Sequence, residues 1–181
     1  MSESLIGGHY QVIDCLRKTR FSETYKAEDT HLLPPDNLCV IKKLQPQSNE
    51  AFVLETAQRL FQNEGQALGN LGIHPQIPRL LAYFVENQNF YLVQEYIHGQ
   101  DLSQEIAPGN QLDIKKVISL LQEVLNILNF VHGKGVIHRD IKPSNLIRRQ
   151  SPDPNLQDRI VLIDFGAVKE LTNPTIVASH D

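Results

Sequence analysis

At 181 residues, 41% of them hydrophobic, the chain has enough apolar material for one domain or two small lobes, and no segment approaches the roughly 20 apolar residues of a membrane helix. A net charge of −4 argues against a nucleic-acid binder, and the short basic clusters Arg17-Lys18-Thr19-Arg20 and Arg148-Arg149 read as solvated surface, unless the first sits over phosphates. Cys15 and Cys39 form no CxxC pair, the seven histidines lack metal-ligand spacing, and Met1-Ser2-Glu3-Ser4 has no signal-peptide pattern, which together predict a cytoplasmic protein without disulfides or a zinc site.

Residues 9–45 carry β-formers. Strands are predicted at Tyr10–Cys15, Thr24–Ala27 and Leu38–Leu44, with a two-proline loop between the last two. Residues 50–71 show helical spacing, with Ala57, Leu60, Phe61, Leu68 and Leu71 on one face. Glu64 falls on that same face, where a carboxylate is costly unless paired. Lys42, which interrupts the apolar run of the third strand, is the predicted partner. Gly65 and Gly69 each weaken this helix by roughly 1 kcal/mol relative to alanine.

Residues 77–84 and 89–97 read as a strand pair around Glu86-Asn87-Gln88-Asn89. A second helix opens at Asp113, a predicted N-cap, with Leu112 and Val117 placed as a hydrophobic staple. Its stripe of Val117, Leu120, Leu121, Val124, Leu125, Leu128 and Val131 reads as core, and is wide enough that part of it should be exposed. Residues 151–155 are a polar loop, and Ile160–Ile163 a short buried strand delivering Asp164.

Two motifs carry chemistry. His138-Arg139-Asp140-Ile141-Lys142-Pro143-Ser144-Asn145 is followed by Asp164-Phe165-Gly166. This order resembles the catalytic loop and metal-binding turn of protein kinases. With Val40-Ile41-Lys42, Glu64 and the hinge-like Leu92–Ile97, the resemblance covers about Tyr10 to Leu171. It identifies the chain as a member of the serine/threonine protein kinase family of the bacterial type. The implied fold is α+β and bilobal: a β-rich N-lobe with one main helix over residues 1–96, then the first part of a helical C-lobe over 97–181.

The resemblance also implies site residues. Asp140 would orient the substrate hydroxyl and accept its proton, and Lys142 would neutralise the transferred phosphoryl group. Asn145 and Asp164 would hold Mg2+. Lys42, fixed by Glu64, would hold the phosphates of ATP. Glu95 and Ile97 would offer backbone groups to adenine, Gln94 would line the back of its pocket, and Leu16, Thr24, Val40 and Ile147 would sandwich the ring. Valine at position 40, usually alanine, narrows that pocket slightly. Leu68, Leu80, His138 and Phe165 would form an apolar column linking the lobes. Arg139 would read a phosphate on the segment carrying Thr172, Thr175 and Ser179.

Two departures stand out. The glycines of the phosphate-binding loop are replaced by Arg17, Thr19 and Ser22, which predicts a stiffer, weaker clamp, or one using the side-chain charge of Arg17, Lys18 and Arg20. The family's substrate-binding half is also missing, so the chain reads as truncated or as one part of a split kinase. Its expected function is ATP-dependent phosphorylation of a protein substrate, with ATP, that substrate and a possible partner chain as its partners. The alternatives are a pseudokinase-like or fragmentary protein-binding module and a small-molecule phosphotransferase of related fold.

Overall fold

Alternating β-branched and aromatic residues pair five strands into one antiparallel sheet in the order β1-β2-β3-β5-β4. They are β1 (Tyr10–Lys18), β2 (Ser22–Asp29), β3 (Leu38–Leu44), β4 (Leu80–Glu86) and β5 (Asn89–Glu95). The computed structural model describes residues 5–19, 22–46, 50–106 and 113–170. The interior strand β5, between β3 and β4, is buried on both faces. Phe90 and Leu92 enter the larger core, and Tyr91 and Val93 a smaller one with Tyr10, Ala27, Cys39 and Ile41, the period of two expected of a strand.

β1 runs three residues past its predicted end, because Arg17 and Lys18 pair with Thr24 and Glu23. β4 begins at Leu80, not at residue 77. Pro78 has no N–H for a ladder, and Ile77 instead closes an isolated bridge with His74 and packs in the core. The β4–β5 turn has Asn87 and Gln88 at φ 48° and 64°, the two positive φ values of a tight hairpin turn.

Helix α1 (Ala51–Leu71) packs beneath this sheet and ends at Gly72, whose φ of 67° is left-handed. Phe61, Glu64, Ala67, Leu68 and Leu71 are buried. Leu60, expected among them, is 43% exposed. It turns toward an apolar depression of about 340 Å³ shared with Leu44, Pro46, Phe52, Val53 and Ala57. Gly65 admits the Tyr83 ring, 3.8 Å from where a Cβ would stand, whereas Gly69 faces open space.

Past β5 the chain leaves the sheet at Tyr96 rather than continuing as strand to Ile97. It forms β6 (Gly99–Asp101), the short helix α2 (Leu102–Glu105) and the long helix α3 (Ile114–Gly133). Asp113 caps α3 by accepting the Lys115 N–H at 3.3 Å; Leu112 lies outside the described residues. Val124, Val131 and the unpredicted Ile127 are buried. Leu121 and Leu125, read as core, are 55% and 62% exposed, in line with Ile114 and Ile118. These four lie about a third of a turn round the helix from the buried row, at 100° per residue.

The segment after α3 is β7 (Val136–Ile137), a 3-10 turn at Pro143–Asn145, β8 (Leu146–Arg149), β9 (Ile160–Leu162), a second 3-10 turn at Phe165–Ala167 and β10 (Lys169–Glu170). β6, β8 and β9 form one small sheet, and β7 and β10 another. The larger core joins Phe61, Leu68, Leu71 and Leu92 to Val124, Ile127, Leu146, Leu162 and Phe165. α1 is thereby packed against the segment that carries Asp164, and each fully buried large apolar side chain contributes about 1.5–3 kcal/mol.

One backbone position is decisive for the small sheet. Gly99 has φ 148°, and a Cβ there would stand 2.1 Å from the Arg148 carbonyl oxygen of the paired strand. Gly99→Ala should therefore destabilise the fold by about 1–3 kcal/mol, read as a lower urea midpoint.

Candidate active site

β3 carries Lys42 in register between Thr24 of β2 and Leu92 of β5. α1 presents Glu64 on its buried face, 1% exposed. The Lys42 ammonium donates to Glu64 Oε1 and Oε2 at 3.0 and 2.9 Å and to Asp164 Oδ1 at 2.8 Å. Burial pushes the Glu64 carboxyl up, with Lys42 opposing it. Burial also works against the Lys42 charge, but the two carboxylates outweigh it and hold Lys42 above its ordinary value. Burial would raise Asp164 as well; Lys42, the Gly166 N–H and Arg17 together bring it below the usual carboxylate range.

Asp164 is itself left-handed, at φ 64° and ψ 74°. That twist turns its carboxylate back toward Lys42, and Gly166 leaves the room. A Cβ at Gly166 would stand 2.6 Å from Lys42 Nζ and 3.2 Å from Glu64 Oε2.

The 138–145 loop forms a second hydrogen-bonded set. Asp140 Oδ2 accepts from Lys142 Nζ at 2.7 Å and from Asn145 Nδ2 at 3.0 Å. Lys142 is the largest cause holding the Asp140 carboxyl below its ordinary value; burial opposes it and Asn145 adds to it. Asn145 Nδ2 also donates to the Asp140 carbonyl at 2.9 Å, so the Asn145 amide is oriented with Nδ2 toward Asp140 and Oδ1 turned away from it. Asn145 Oδ1 is buried without a hydrogen-bond partner. A buried carbonyl oxygen lacking a partner is rare, and it is the kind of hard ligand a divalent cation prefers. Asn145 Oδ1 and the Asp164 carboxylate are thus oxygen donors of the kind that fits a hard divalent ion.

The two sets are tied together. Ile163 N–H donates to the Asn145 carbonyl at 2.9 Å. His138 Nδ1 accepts the Asp140 N–H at 3.3 Å, so Nε2 carries the proton and donates to the Ile163 carbonyl at 3.1 Å. Burial lowers the His138 pKa, favouring the neutral ring this arrangement needs. Its edge meets Phe165 at a centroid distance of 4.7 Å. Leu68, His138 and Phe165 are fully buried and Leu80 packs beside them. Sequence reasoning placed His138 in an apolar column; its hydrogen-bonding role had no sequence signal.

Arg139, at φ 65°, donates to the Ala167 and Val168 carbonyls at 2.6 and 3.2 Å. Thr172, Thr175 and Ser179 lie outside the described residues. Around the predicted adenine position, Ile97 is buried, Thr24, Val40, Glu95 and Ile147 are half-buried, and Leu16 is 47% exposed on β1. Glu95 N–H already donates to the Arg79 carbonyl at 2.9 Å, so an adenine contact from this residue falls to its carbonyl.

The altered loop is closed by side chains. Thr19 Oγ1 accepts the Ser22 N–H at 3.0 Å, and Thr19 N–H donates to the Ser22 carbonyl at 2.8 Å. Arg17 Nη1 lies 3.7 Å from Asp164 Oδ2, whereas Lys18 turns away to Glu23; Arg20 and Phe21 lie outside the described residues. Arg148 and Arg149, read as solvated surface, are pinned instead. Arg148 forks onto both Glu105 oxygens at 2.7 and 3.0 Å, and Arg149 reaches Glu95 Oε1 at 3.1 Å. Both pairs fasten β8 to the chain leaving the large sheet. A polar bridge that the sequence did not suggest steadies β9: Glu123 Oε1 accepts from Ile160 N–H at 2.9 Å and from the buried Gln76 amide at 2.8 Å.

A lysine shared by a helix carboxylate and an aspartate before Phe-Gly, beside an Asp–Lys–Asn loop, is the arrangement of one family, and the protein kinase domain profile matches residues 17–180. The chain belongs to the protein kinase family. It is 46% identical over 164 residues to serine/threonine-protein kinase B of Synechocystis sp., covering 91% of this chain and 28% of that protein. Serine/threonine-protein kinase C of the same organism is 41% identical over 175 residues, 94% of this chain and 32% of that protein. PknA of Nostoc sp., another serine/threonine-protein kinase, is 40% identical over 169 residues, 93% of this chain and 29% of that protein. The chain therefore spans roughly a third or less of the length of these relatives. This kinase-family chain has the β-rich sheet and few helices of a partial kinase fold, and no described helix is long and apolar enough to cross a membrane.

Proposed function

We propose that this chain carries the nucleotide site and catalytic loop of a serine/threonine protein kinase, using Mg2+ and ATP to phosphorylate a protein hydroxyl. The observation that supports it most is Asn145 Oδ1, buried and unpartnered beside an Asp140 whose carboxylate is already oriented. In this reading residues 1–96 are the nucleotide-binding lobe and 97–181 the start of the catalytic lobe, in the cytoplasm.

Asn145 and Asp164 would hold the magnesium ion, which supplies charge neutralisation on the phosphates when bound. Lys42 would hold the nucleotide phosphates, with Glu64 fixing the ammonium from below. Leu16, Thr24, Val40 and Ile147 would enclose the adenine, with Glu95 and Ile97 at its edge. Asp140 would accept a hydrogen bond from the acceptor hydroxyl and aim its oxygen, and Lys142 would shift from Asp140 toward the transferred group. Arg17, reaching Asp164 from the altered loop, brings side-chain charge where the family uses glycine.

The test is transfer of labelled γ-phosphate from Mg-ATP to casein by the purified chain. Label recovered as phosphoserine or phosphothreonine is the expected result. A folded chain that binds Mg-ATP yet transfers nothing would overturn the catalytic reading in favour of a protein-binding module, which the Thr19–Ser22 closure of the loop would then explain.

A further inference from the structure

At the far end of the β1–β2 hairpin from the altered loop, strand register gathers three ligand-type side chains. Tyr10 pairs with Asp29, which sets His9 beside Asp29 and His31. One ligand atom from each of the three lies within 4.8 Å of the others, the one such group among the described residues. The two imidazoles stack at 4.5 Å with only 5° between their planes. No sequence spacing marks the group, because His9 comes to the other two by strand pairing alone.

The hydrogen bonds around it decide what the group lacks. Gly7 and Gly8, at φ 57° and 78°, turn the chain ahead of His9. Gly7 is held in place there: its N–H donates to Glu86 at 3.2 Å, and a Cβ would stand 2.8 Å from the Phe84 ring. The turn presents the Gly7 carbonyl to His9 Nδ1 at 2.9 Å. A carbonyl only accepts, so Nδ1 carries the proton and Nε2 of the neutral ring carries a lone pair. Nε2 faces Asp29 Oδ2 at 3.9 Å, too far for a hydrogen bond. Asp29 Oδ1 meanwhile accepts the His31 N–H at 2.9 Å. Two lone-pair atoms therefore face one another across a gap that a metal ion at about 2.0–2.2 Å from each would span. Thr30, whose hydroxyl donates to the His9 carbonyl at 2.8 Å, keeps both sides of the gap in register.

We propose that His9, Asp29 and His31 form a binding site for a borderline divalent cation of the zinc type. His9 and Asp29 supply the preformed pair, the exposed His31 swings in as the third ligand, and water fills the fourth position. Imidazole nitrogen selects such ions over Mg2+. The Gly7 carbonyl is the outer partner that fixes the tautomer of a ligating histidine. The ion would clamp the segment before β1 to the turn after β2, a structural role remote from Asp164.

The test is calorimetric titration of Zn2+ into the chelator-stripped chain, repeated with Co2+ for its visible absorption bands. One equivalent binding in the micromolar range or tighter is expected, weakened at least about tenfold in His31→Ala and in His9→Ala, and retained in Asp164→Ala. His31 is exposed, so its alanine variant should melt like the parent without metal. Absence of saturable binding by the folded chain would overturn the proposal, leaving His9 and Asp29 as neighbours across the strand pair without a bound ion. So would parent-like affinity in His31→Ala, which would put the ion elsewhere.

Discussion

Lys42→Met should lower the stability of the chain by about 3–5 kcal/mol, the usual cost of removing one partner from a buried ion pair. The side chain of Glu64 is 2% exposed and that of Lys42 17%, so solvent does little to replace the lost ammonium. The substitution keeps the aliphatic stem and removes only the cation that Glu64 and Asp164 share. Glu64 Oε2 and Asp164 Oδ1 both lie within 3.3 Å of the same point above Gly166, leaving two carboxylates crowded together. Urea denaturation should show a lower midpoint at unchanged slope.

The pH dependence of that loss has a defined sign. In the parent, Asp164 is held below its unfolded value; it contributes stability above the unfolded pKa and loses it as pH falls through the folded one. In the variant, burial raises Glu64 with no cation to oppose it. A carboxyl raised on folding contributes most below its unfolded pKa of about 4.3 and loses that contribution as pH rises. The two effects act in one direction but in different ranges: Glu64 narrows the gap between parent and variant as pH falls from neutrality toward its unfolded pKa of about 4.3, and Asp164 narrows it further only below its own unfolded pKa of about 3.9.

Asp140→Asn should behave in the opposite way, sparing the fold and removing the reaction. The Asp140 and Lys142 side chains are 36% and 38% exposed, and an exposed pair of this kind contributes under about 1 kcal/mol. Phosphoryl transfer should fall by about 10²–10⁴-fold, the contribution of a positioned proton acceptor, with Mg-ATP affinity unchanged. An equal loss of nucleotide affinity would show instead that the substitution disturbs Asn145, whose amide bonds the same carboxylate oxygen.

Much of the site was legible because the residues concerned break local patterns. Glu64 on an apolar helix face and Lys42 in a β-rich run each demand a partner, and they pair. The protein kinase family and its α+β fold were legible in the motif order. The third party to the ion pair was not, because it depends on the left-handed backbone at Asp164. Helix faces were read correctly in period but not in extent. Leu60, Leu121 and Leu125 fit the apolar spacing, yet which part of a broad stripe is covered depends on what packs there. Arg148 and Arg149 read as surface because their partners Glu105 and Glu95 are remote in sequence. His9, Asp29 and His31 stayed invisible for the same reason.

The central claim is that Lys42, Asn145 and Asp164 form one working nucleotide–metal site despite the altered loop. Equilibrium binding of ATP to the purified chain, with and without Mg2+, tests it most directly. Saturable, magnesium-dependent binding that is lost in Asp164→Ala is the result this account predicts. A folded chain that binds no ATP, or binds it equally well without Mg2+ and in Asp164→Ala, would contradict it.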